Sequence, residues 1–170
     1  MIPPAPRAAG GPLPMPTVPD EKMRILIADD DGPFRSLAAM VLRGAGYAVT
    51  EARDGTETLE KLDGAGFDLA LLDIRMPGAS GWEILRRIIG VADPGSPPPR
   101  VLMMTGLTTE FDLDRLKKEG AFGMLIKPFQ NEDLLAEVKR ILNLPRHAMR
   151  EKGAILWPGG EEGRAPGDEA

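Results

Sequence analysis

The chain has 170 residues, of which 42% are hydrophobic and 28% charged, a composition typical of one globular domain with flanking segments. The net charge of -5 gives no sign of a nucleic-acid-binding surface, and the lack of cysteine excludes disulfides and thiolate metal sites. With no signal-peptide core and no stretch long enough for a membrane span, we expect a cytoplasmic protein with neither nucleic acid nor membrane as a partner.

The two ends of the chain differ in composition from its middle. Residues 1–22 are rich in Pro, Ala and Gly and are predicted to form a disordered or polyproline-like extension. Met23 is itself a plausible translation start. Residues 144–170 are rich in Gly, Glu and Pro and are predicted to form a mostly disordered tail, apart from a short apolar patch at 154–157. The folded domain is therefore expected at residues 23–143.

The domain begins with a short, mostly apolar strand, Arg24–Ala28, which is followed by three acidic residues at 29–31. Glycines at 44 and 46 end the next helix, and Tyr47–Ala52 is predicted to be the second strand. The helix between them is indicated by apolar residues at helical spacing, namely Phe34, Leu37, Ala38, Val41 and Leu42.

A second helix follows, in which Asp54 is suited to cap the first turn and Leu59 and Leu62 face inward. The third strand is an apolar run from Phe67 that ends at Asp73, and its lack of alternation indicates burial on both faces. Met76, Pro77 and Gly78 then turn the chain. A capping box of Ser80 and Glu83 opens the third helix, whose apolar positions are Trp82, Leu85, Ile88 and Ile89.

The last third of the domain repeats the alternation after a proline-rich loop at 94–99. A fourth strand at 100–104 ends at Thr105, and Phe111, Leu113 and Leu116 mark a short helix that Gly120 closes. The fifth strand, 122–126, leads to Lys127, and apolar residues from 134 to 142 indicate a final helix. Five alternations of strand and helix predict a three-layer α/β/α sandwich around a five-stranded parallel sheet.

The polar residues of interest all follow strands. Asp29 and Asp30 end the first strand, Asp73 the third, Thr105 the fourth and Lys127 the fifth, so all five are expected at one edge of the sheet. Converging carboxylates repel unless a cation binds, and oxygen ligands with open positions suit Mg²⁺. A carboxylate beside Mg²⁺ and a lysine is suited to accepting a phosphoryl group.

These motifs, in their order and spacing, resemble the receiver domains of two-component response regulators. The resemblance spans Met23 to about Leu142 and implies the flavodoxin-like strand order 2-1-3-4-5. It is carried by Ile25–Asp30, Leu71–Gly78, Met104–Gly106 and Lys127–Phe129.

The resemblance implies a role for each site residue. Asp73 would be the phosphoacceptor, and Asp29 and Asp30 the acidic pair that serves Mg²⁺ with the backbone carbonyl of Arg75. Thr105 and Lys127 would sense and neutralise the phosphoryl group, and the Lys127–Pro128 bond is often cis in such domains. The donor would be a sensor histidine kinase or a histidine phosphotransfer protein.

Two features of the sequence bear on signalling. Met124 stands where many receivers have an aromatic switch residue, three positions before the lysine, which puts the usual coupling to the threonine in doubt. In the resembling family, the positions two beyond the acceptor and two beyond the threonine tune phosphoryl lifetime. Here they are Arg75 and Leu107, which predict a comparatively long-lived phosphorylated state.

Two other functions remain open. The run Asp29–Gly32 resembles the nucleophile motif of haloacid-dehalogenase-type phosphatases, although Pro33 stands where a threonine is usual. The chain is alternatively a receiver-like interaction module that acts without phosphorylation, although its complete acidic set argues against this. Because only 27 residues follow Asn143, we expect no output domain there but a stand-alone receiver that signals through its fourth helix, fifth strand and fifth helix.

Overall fold

The computed structural model describes residues 22–64, 66–91, 97–106 and 113–144. The five strands in these ranges are β1 (Arg24–Ala28), β2 (Ala48–Ala52), β3 (Leu69–Asp73), β4 (Arg100–Thr105) and β5 (Gly123–Ile126). The five helices are α1 (Gly32–Gly44), α2 (Gly55–Gly64), α3 (Gly81–Gly90), α4 (Leu113–Glu119) and α5 (Asn131–Asn143). No helix in the described part of the chain is long and apolar enough to cross a membrane.

The strands form one parallel sheet in the order β2-β1-β3-β4-β5, which confirms the predicted order. In the register of the sheet, Ala28 lies beside Leu72, and Asp73 lies beside Met104. The strand order reverses between β1 and β3, because the chain crosses from one side of β1 to the other. Ligand sites in such sheets lie at the carboxyl ends of the strands at this reversal, where Asp29 and Asp73 are found.

Both faces of the sheet are covered, as the apolar strands predict. Ile25 and Ile27 of β1 belong to the core beneath α1 and α5, whereas Leu26 and Ala28 belong to the core beneath α2, α3 and α4. All four side chains are fully buried. A strand with helices on both sides has no solvent-facing positions, which is why its sequence does not alternate.

Side-chain caps begin three of the helices. The backbone N–H of Phe34 donates to Asp31 Oδ1 (3.0 Å) at the start of α1. The predicted cap of α2 is confirmed, since Glu57 N–H donates to Asp54 Oδ1 (2.8 Å). The predicted capping box of α3 is also confirmed, with both of its reciprocal hydrogen bonds present.

Two helix residues predicted to face inward are exposed. Leu37 of α1 is 50% exposed and Ile89 of α3 is 38% exposed. In α1 the buried positions are Ala38, Ala39 and Leu42, so the buried stripe is turned away from Leu37. Helical spacing identifies an apolar stripe, but the packing of the helix on the sheet decides which edge of that stripe is buried.

Several predictions concern positions outside the described residues. These are the disorder of residues 1–21 and 145–170, the first half of the loop at 94–99, the helix residue Phe111 and the position of Leu107. The boundaries of the folded domain therefore remain predictions.

Candidate functional site

Three acidic side chains meet where β1 and β3 end. Asp29 follows β1 and is fully buried, Asp73 ends β3 and is 6% exposed, and Asp30 is exposed. One carboxylate oxygen from each lies within 4.8 Å of the other two. The predicted convergence of Asp29, Asp30 and Asp73 is therefore present in the structure.

Lys127, which follows β5, joins the two buried acids. Its Nζ donates to Asp29 Oδ2 (2.5 Å) and to Asp73 Oδ1 (2.9 Å), and its side chain is 18% exposed. One ammonium balances only part of the charge of three carboxylates. The cluster is therefore suited to a further cation.

Burial and pairing act in opposite directions on the acid–base properties of the site. Burial raises the pKa of Asp73 above the usual aspartate value, although the hydrogen bond from Lys127 opposes it. For Lys127, burial lowers the pKa, but the hydrogen bonds to Asp29 and Asp73 outweigh it and hold the pKa above the usual lysine value. Lys127 is thus a charged ammonium at neutral pH, and the negative charge of Asp73 is less favourable than in water.

The backbone after β3 holds Asp73 in place. Arg75 N–H donates to Asp73 Oδ2 (3.1 Å), and Ile74 N–H donates to the Met104 carbonyl of β4 (2.9 Å). Gly78 has a φ of +85°, which a residue with a side chain rarely adopts, and it produces the predicted sharp turn. Gly81 then opens α3 so close to the Asp73 carbonyl that a Cβ at this position would overlap it. β3 and α3 are therefore in tight contact.

Thr105 ends β4 and Lys127 follows the neighbouring strand β5, so both lie at the same edge of the sheet. Thr105 is buried, and its carbonyl accepts a hydrogen bond from Lys127 N–H (2.6 Å). The Lys127–Pro128 bond is cis, as the resemblance implied. These two residues thus lie beside the acidic cluster, at the ends of the strands predicted to carry them.

Two residues at the site were not predicted to take part in it. Arg35 of α1 donates from Nη1 to the Asp29 carbonyl (2.7 Å) and from Nε to Glu51 Oε2 of β2 (3.3 Å). Phe34 places its ring centroid 4.3 Å from Lys127 Nζ. Both residues lie in the first turns of the helix that follows the acidic run, and that proximity in sequence is the signal by which they could have been found.

The remaining predicted residues are one that contacts the cluster through its backbone, one buried in the core and one outside the described ranges. Arg75 has an exposed side chain, and its backbone N–H donates to Asp73 Oδ2. Met124 is buried in the core beneath α2, α3 and α4, where it packs with residues such as Met103 and Leu116. Leu107 lies outside the described residues.

The donor set fits a hard divalent cation. The three carboxylates supply only oxygen ligands, and the exposed position of Asp30 leaves one side of the cluster open to water or to phosphate oxygens. Mg²⁺ prefers such a site, because it binds one or two carboxylates and keeps several waters.

Comparison with known proteins agrees with this site. Residues 25–139 match the response regulator receiver domain family. The chain is 34% identical over 118 residues to the DNA-binding response regulator MtrA of Mycolicibacterium paratuberculosis, a match that covers 69% of this chain and 50% of MtrA. The chain spans about half the length of the curated relatives it matches.

Solved receiver structures share the fold. The chemotaxis response regulator CheY4 of Vibrio cholerae superposes with a TM-score of 0.64 at 32% identity, covering 71% of this chain and 98% of CheY4. A response regulator from Burkholderia pseudomallei, solved with a phosphorylated aspartic acid and a calcium ion, gives a TM-score of 0.60 at 27% identity and covers 68% of this chain and 66% of that one.

These matches bear on one of the two alternatives that the sequence left open, the phosphatase. The family is a phosphoacceptor signalling module rather than an enzyme, so the phosphatase alternative is not supported. The sheet order, the acidic cluster and the sequence match over 25–139 agree, and the chain belongs to the response regulator receiver domain family of two-component systems.

Proposed function

We propose that Asp73 accepts a phosphoryl group from a phosphohistidine, and that this modification is the signal that the protein carries. The observation that carries the proposal is the position of Lys127, whose Nζ bridges Asp29 Oδ2 and Asp73 Oδ1 while Asp30 stays exposed beside them. The acceptor thus lies next to a fixed positive charge and next to a cluster suited to a divalent cation.

The proposed transfer is a displacement at phosphorus. One carboxylate oxygen of Asp73 forms a bond to phosphorus while the bond from phosphorus to the imidazole nitrogen breaks. The imidazole leaves with the bonding electron pair, and the product is an acyl phosphate on Asp73. The Asp73 side chain needs no general base for this step, because it reacts as the carboxylate.

The residues around Asp73 have separate parts in the transfer. Asp29, Asp30 and the backbone carbonyl of Arg75 would hold Mg²⁺ with Asp73, and the bound ion would offset negative charge on the phosphoryl oxygens. Lys127 reaches Asp73 Oδ1 and is placed to pair with a phosphoryl oxygen. Thr105 supplies a hydroxyl at the neighbouring strand end.

The response to phosphorylation is proposed to pass from Thr105 to Met124. Met124 is already buried in this structure, and it lies on the strand next to the one that Thr105 ends. A thioether has no hydroxyl with which to follow Thr105, so its coupling would rest on packing. The surface that reads the change is the face of α4, β5 and α5.

The partners are proposed by class. The family implies a cognate histidine kinase, and a histidine phosphotransfer protein is the alternative donor. The relative from Burkholderia pseudomallei, which carries a phosphorylated aspartic acid and a calcium ion in its structure, supports both the acceptor and the cation. We place the protein in the cytoplasm and expect it to signal by protein contact.

The experiment uses acetyl phosphate as a small phosphoryl donor with Mg²⁺, followed by intact-mass measurement. The wild-type protein should gain one phosphoryl group, and Asp73→Asn should gain none. Asp29→Asn and Asp30→Asn should react more slowly, because they weaken the cation site. If Asp73→Asn is labelled as fully as the wild type, the proposed acceptor is wrong.

A further inference from the structure

The ammonium of Lys127 has a third neighbour besides its two carboxylates. Its Nζ lies 4.3 Å from the centroid of the Phe34 ring, within the range of a cation–π contact. An ammonium has three N–H donors, and Lys127 directs bonds to Asp29 and Asp73 at 2.5 and 2.9 Å. The Phe34 ring thus contacts a cation whose carboxylate partners belong to the phosphoacceptor site.

The ring is itself fixed from two directions. The N–H of Phe34 donates to Asp31 Oδ1 (3.0 Å), which ties the residue to the start of α1. Its ring packs edge-to-face on Phe129, with centroids 5.4 Å apart and an interplanar angle of 79°. Phe129 follows Lys127 by two residues, so the two aromatic rings connect the first turn of α1 to the segment that carries the lysine.

We propose that Phe34 is a positioning residue for Lys127, and that it holds the ammonium ready to pair with the phosphoryl group. This proposal rests on the proposed function, in which Lys127 exchanges a bond to Asp73 for one to a phosphoryl oxygen. During that exchange the ring contact is retained, since it involves neither carboxylate. The lysine is therefore held at the site while its partner changes.

The role predicts different effects on the affinity for a phosphoryl mimic and on the affinity for Mg²⁺. Lys127 pairs with the carboxylates that would bind Mg²⁺, so its ammonium competes with the cation for them. An ammonium that is held less firmly does not compete more strongly than before. A phosphoryl group, in contrast, depends on the ammonium for one of its partners. Loss of the ring should therefore weaken binding of a phosphoryl mimic without weakening binding of Mg²⁺, whereas general loosening of the site would weaken both.

The test compares Phe34→Leu, which keeps an apolar side chain but removes the ring, with Phe34→Tyr, which keeps the ring. The matched control is Phe67→Leu, the same substitution at a ring that contacts Arg24 (5.3 Å) before β3, at the opposite end of the sheet from Asp73. Three quantities are measured in the full chain: Mg²⁺ affinity, beryllofluoride affinity at saturating Mg²⁺, and the ring-current shift of the Lys127 ε-methylene protons by NMR without metal.

In Phe34→Leu we expect beryllofluoride affinity to fall about fivefold, in line with a moderate cation–π contact, with Mg²⁺ affinity unchanged or higher and the ring-current shift lost. Phe34→Tyr and Phe67→Leu should match the wild type in both affinities. Equal losses of both affinities in Phe34→Leu, or unchanged beryllofluoride affinity, would overturn the proposal. If the wild type binds no beryllofluoride with Mg²⁺, the proposed function fails and this role fails with it, whereas the ring-current shift still reports the contact alone.

Discussion

At the scale of single residues, Asp73 lies at the candidate site, and the burial of its carboxylate makes its negative charge unfavourable. Its burial raises its pKa, so the protonated form is favoured in the folded protein relative to the unfolded chain. That contribution to stability is complete below the ordinary aspartate pKa of about 3.9 and is lost as the pH rises through the raised value. Ionisation of Asp73 therefore destabilises the metal-free protein.

The destabilising effect of the Asp73 charge leads to a prediction for the stability of Asp73→Asn. Without metal at about pH 7, the variant should unfold at a higher temperature than the wild type, because a neutral amide replaces the buried charge. The difference should shrink as the pH is lowered through the raised pKa of Asp73, because the wild-type carboxyl then takes up its proton. Thermal unfolding in the presence of a chelator measures both effects.

Added Mg²⁺ supplies the control for this prediction. Mg²⁺ should raise the unfolding temperature of the wild type, since a ligand that binds only the folded state stabilises it. The increase should be smaller for Asp73→Asn, which lacks one carboxylate of the cluster. A variant that is less stable than the wild type without metal at neutral pH would show that the Lys127 contact outweighs the burial of Asp73.

Single residues also show which contacts at the site could be predicted from the sequence and which could not. Asp29, Asp30, Asp73 and Lys127 could be brought together from the sequence because each follows a strand, and parallel strands end at one edge. The ring of Phe34 could not be placed against Lys127, because helical spacing says that a residue faces inward but not which side chain it meets. The contacts of Arg35 could not be predicted either, because helical spacing does not identify its partners, the Asp29 carbonyl and the Glu51 carboxylate.

At the scale of the elements, the capping box of Ser80 and Glu83 fixes the start of α3, where the chain leaves the site. Ser80→Ala removes the side-chain acceptor for the Glu83 N–H (3.3 Å) and should lower the free energy of unfolding by about 1 kcal/mol. Chemical denaturation measures this loss. The matched control is Ser36→Ala, at an exposed position inside α1, where alanine should be neutral or slightly stabilising. Equal effects of the two substitutions would mean that the cap contributes nothing.

The elements were the most predictable part of the fold. Each predicted strand and helix is present in the described ranges. For most of the strands, the observed ends differ from the predicted ends by one or two residues. The apolar runs of β3 and β4, which are interrupted only at the strand ends, could be recognised because strands covered on both faces carry no polar alternation. Leu37 and Ile89 could not be placed correctly, because each lies at the edge of its apolar stripe and only packing decides such positions.

At the scale of the whole molecule, the described residues contain both hydrophobic cores of the sandwich. A truncated protein that spans Met23 to Arg146 should therefore unfold at the same temperature as the full chain. The segments removed have too few apolar residues to offset the entropy of ordering them. Thermal unfolding of the two proteins side by side is the measurement. A clearly lower midpoint for the truncated protein would mean that a removed segment packs on the domain, and Trp157→Ala in the full chain would then identify the contact.

The central claim is that Asp73 is the residue that becomes phosphorylated, and mapping the modified residue tests it most directly. The full chain is incubated with acetyl phosphate and Mg²⁺, the acyl phosphate is reduced with borohydride, and peptide mass spectrometry locates the reduced aspartate. The account predicts modification at Asp73 alone. Modification at Asp29 or Asp30, in the run that resembles a phosphatase nucleophile motif, would contradict it.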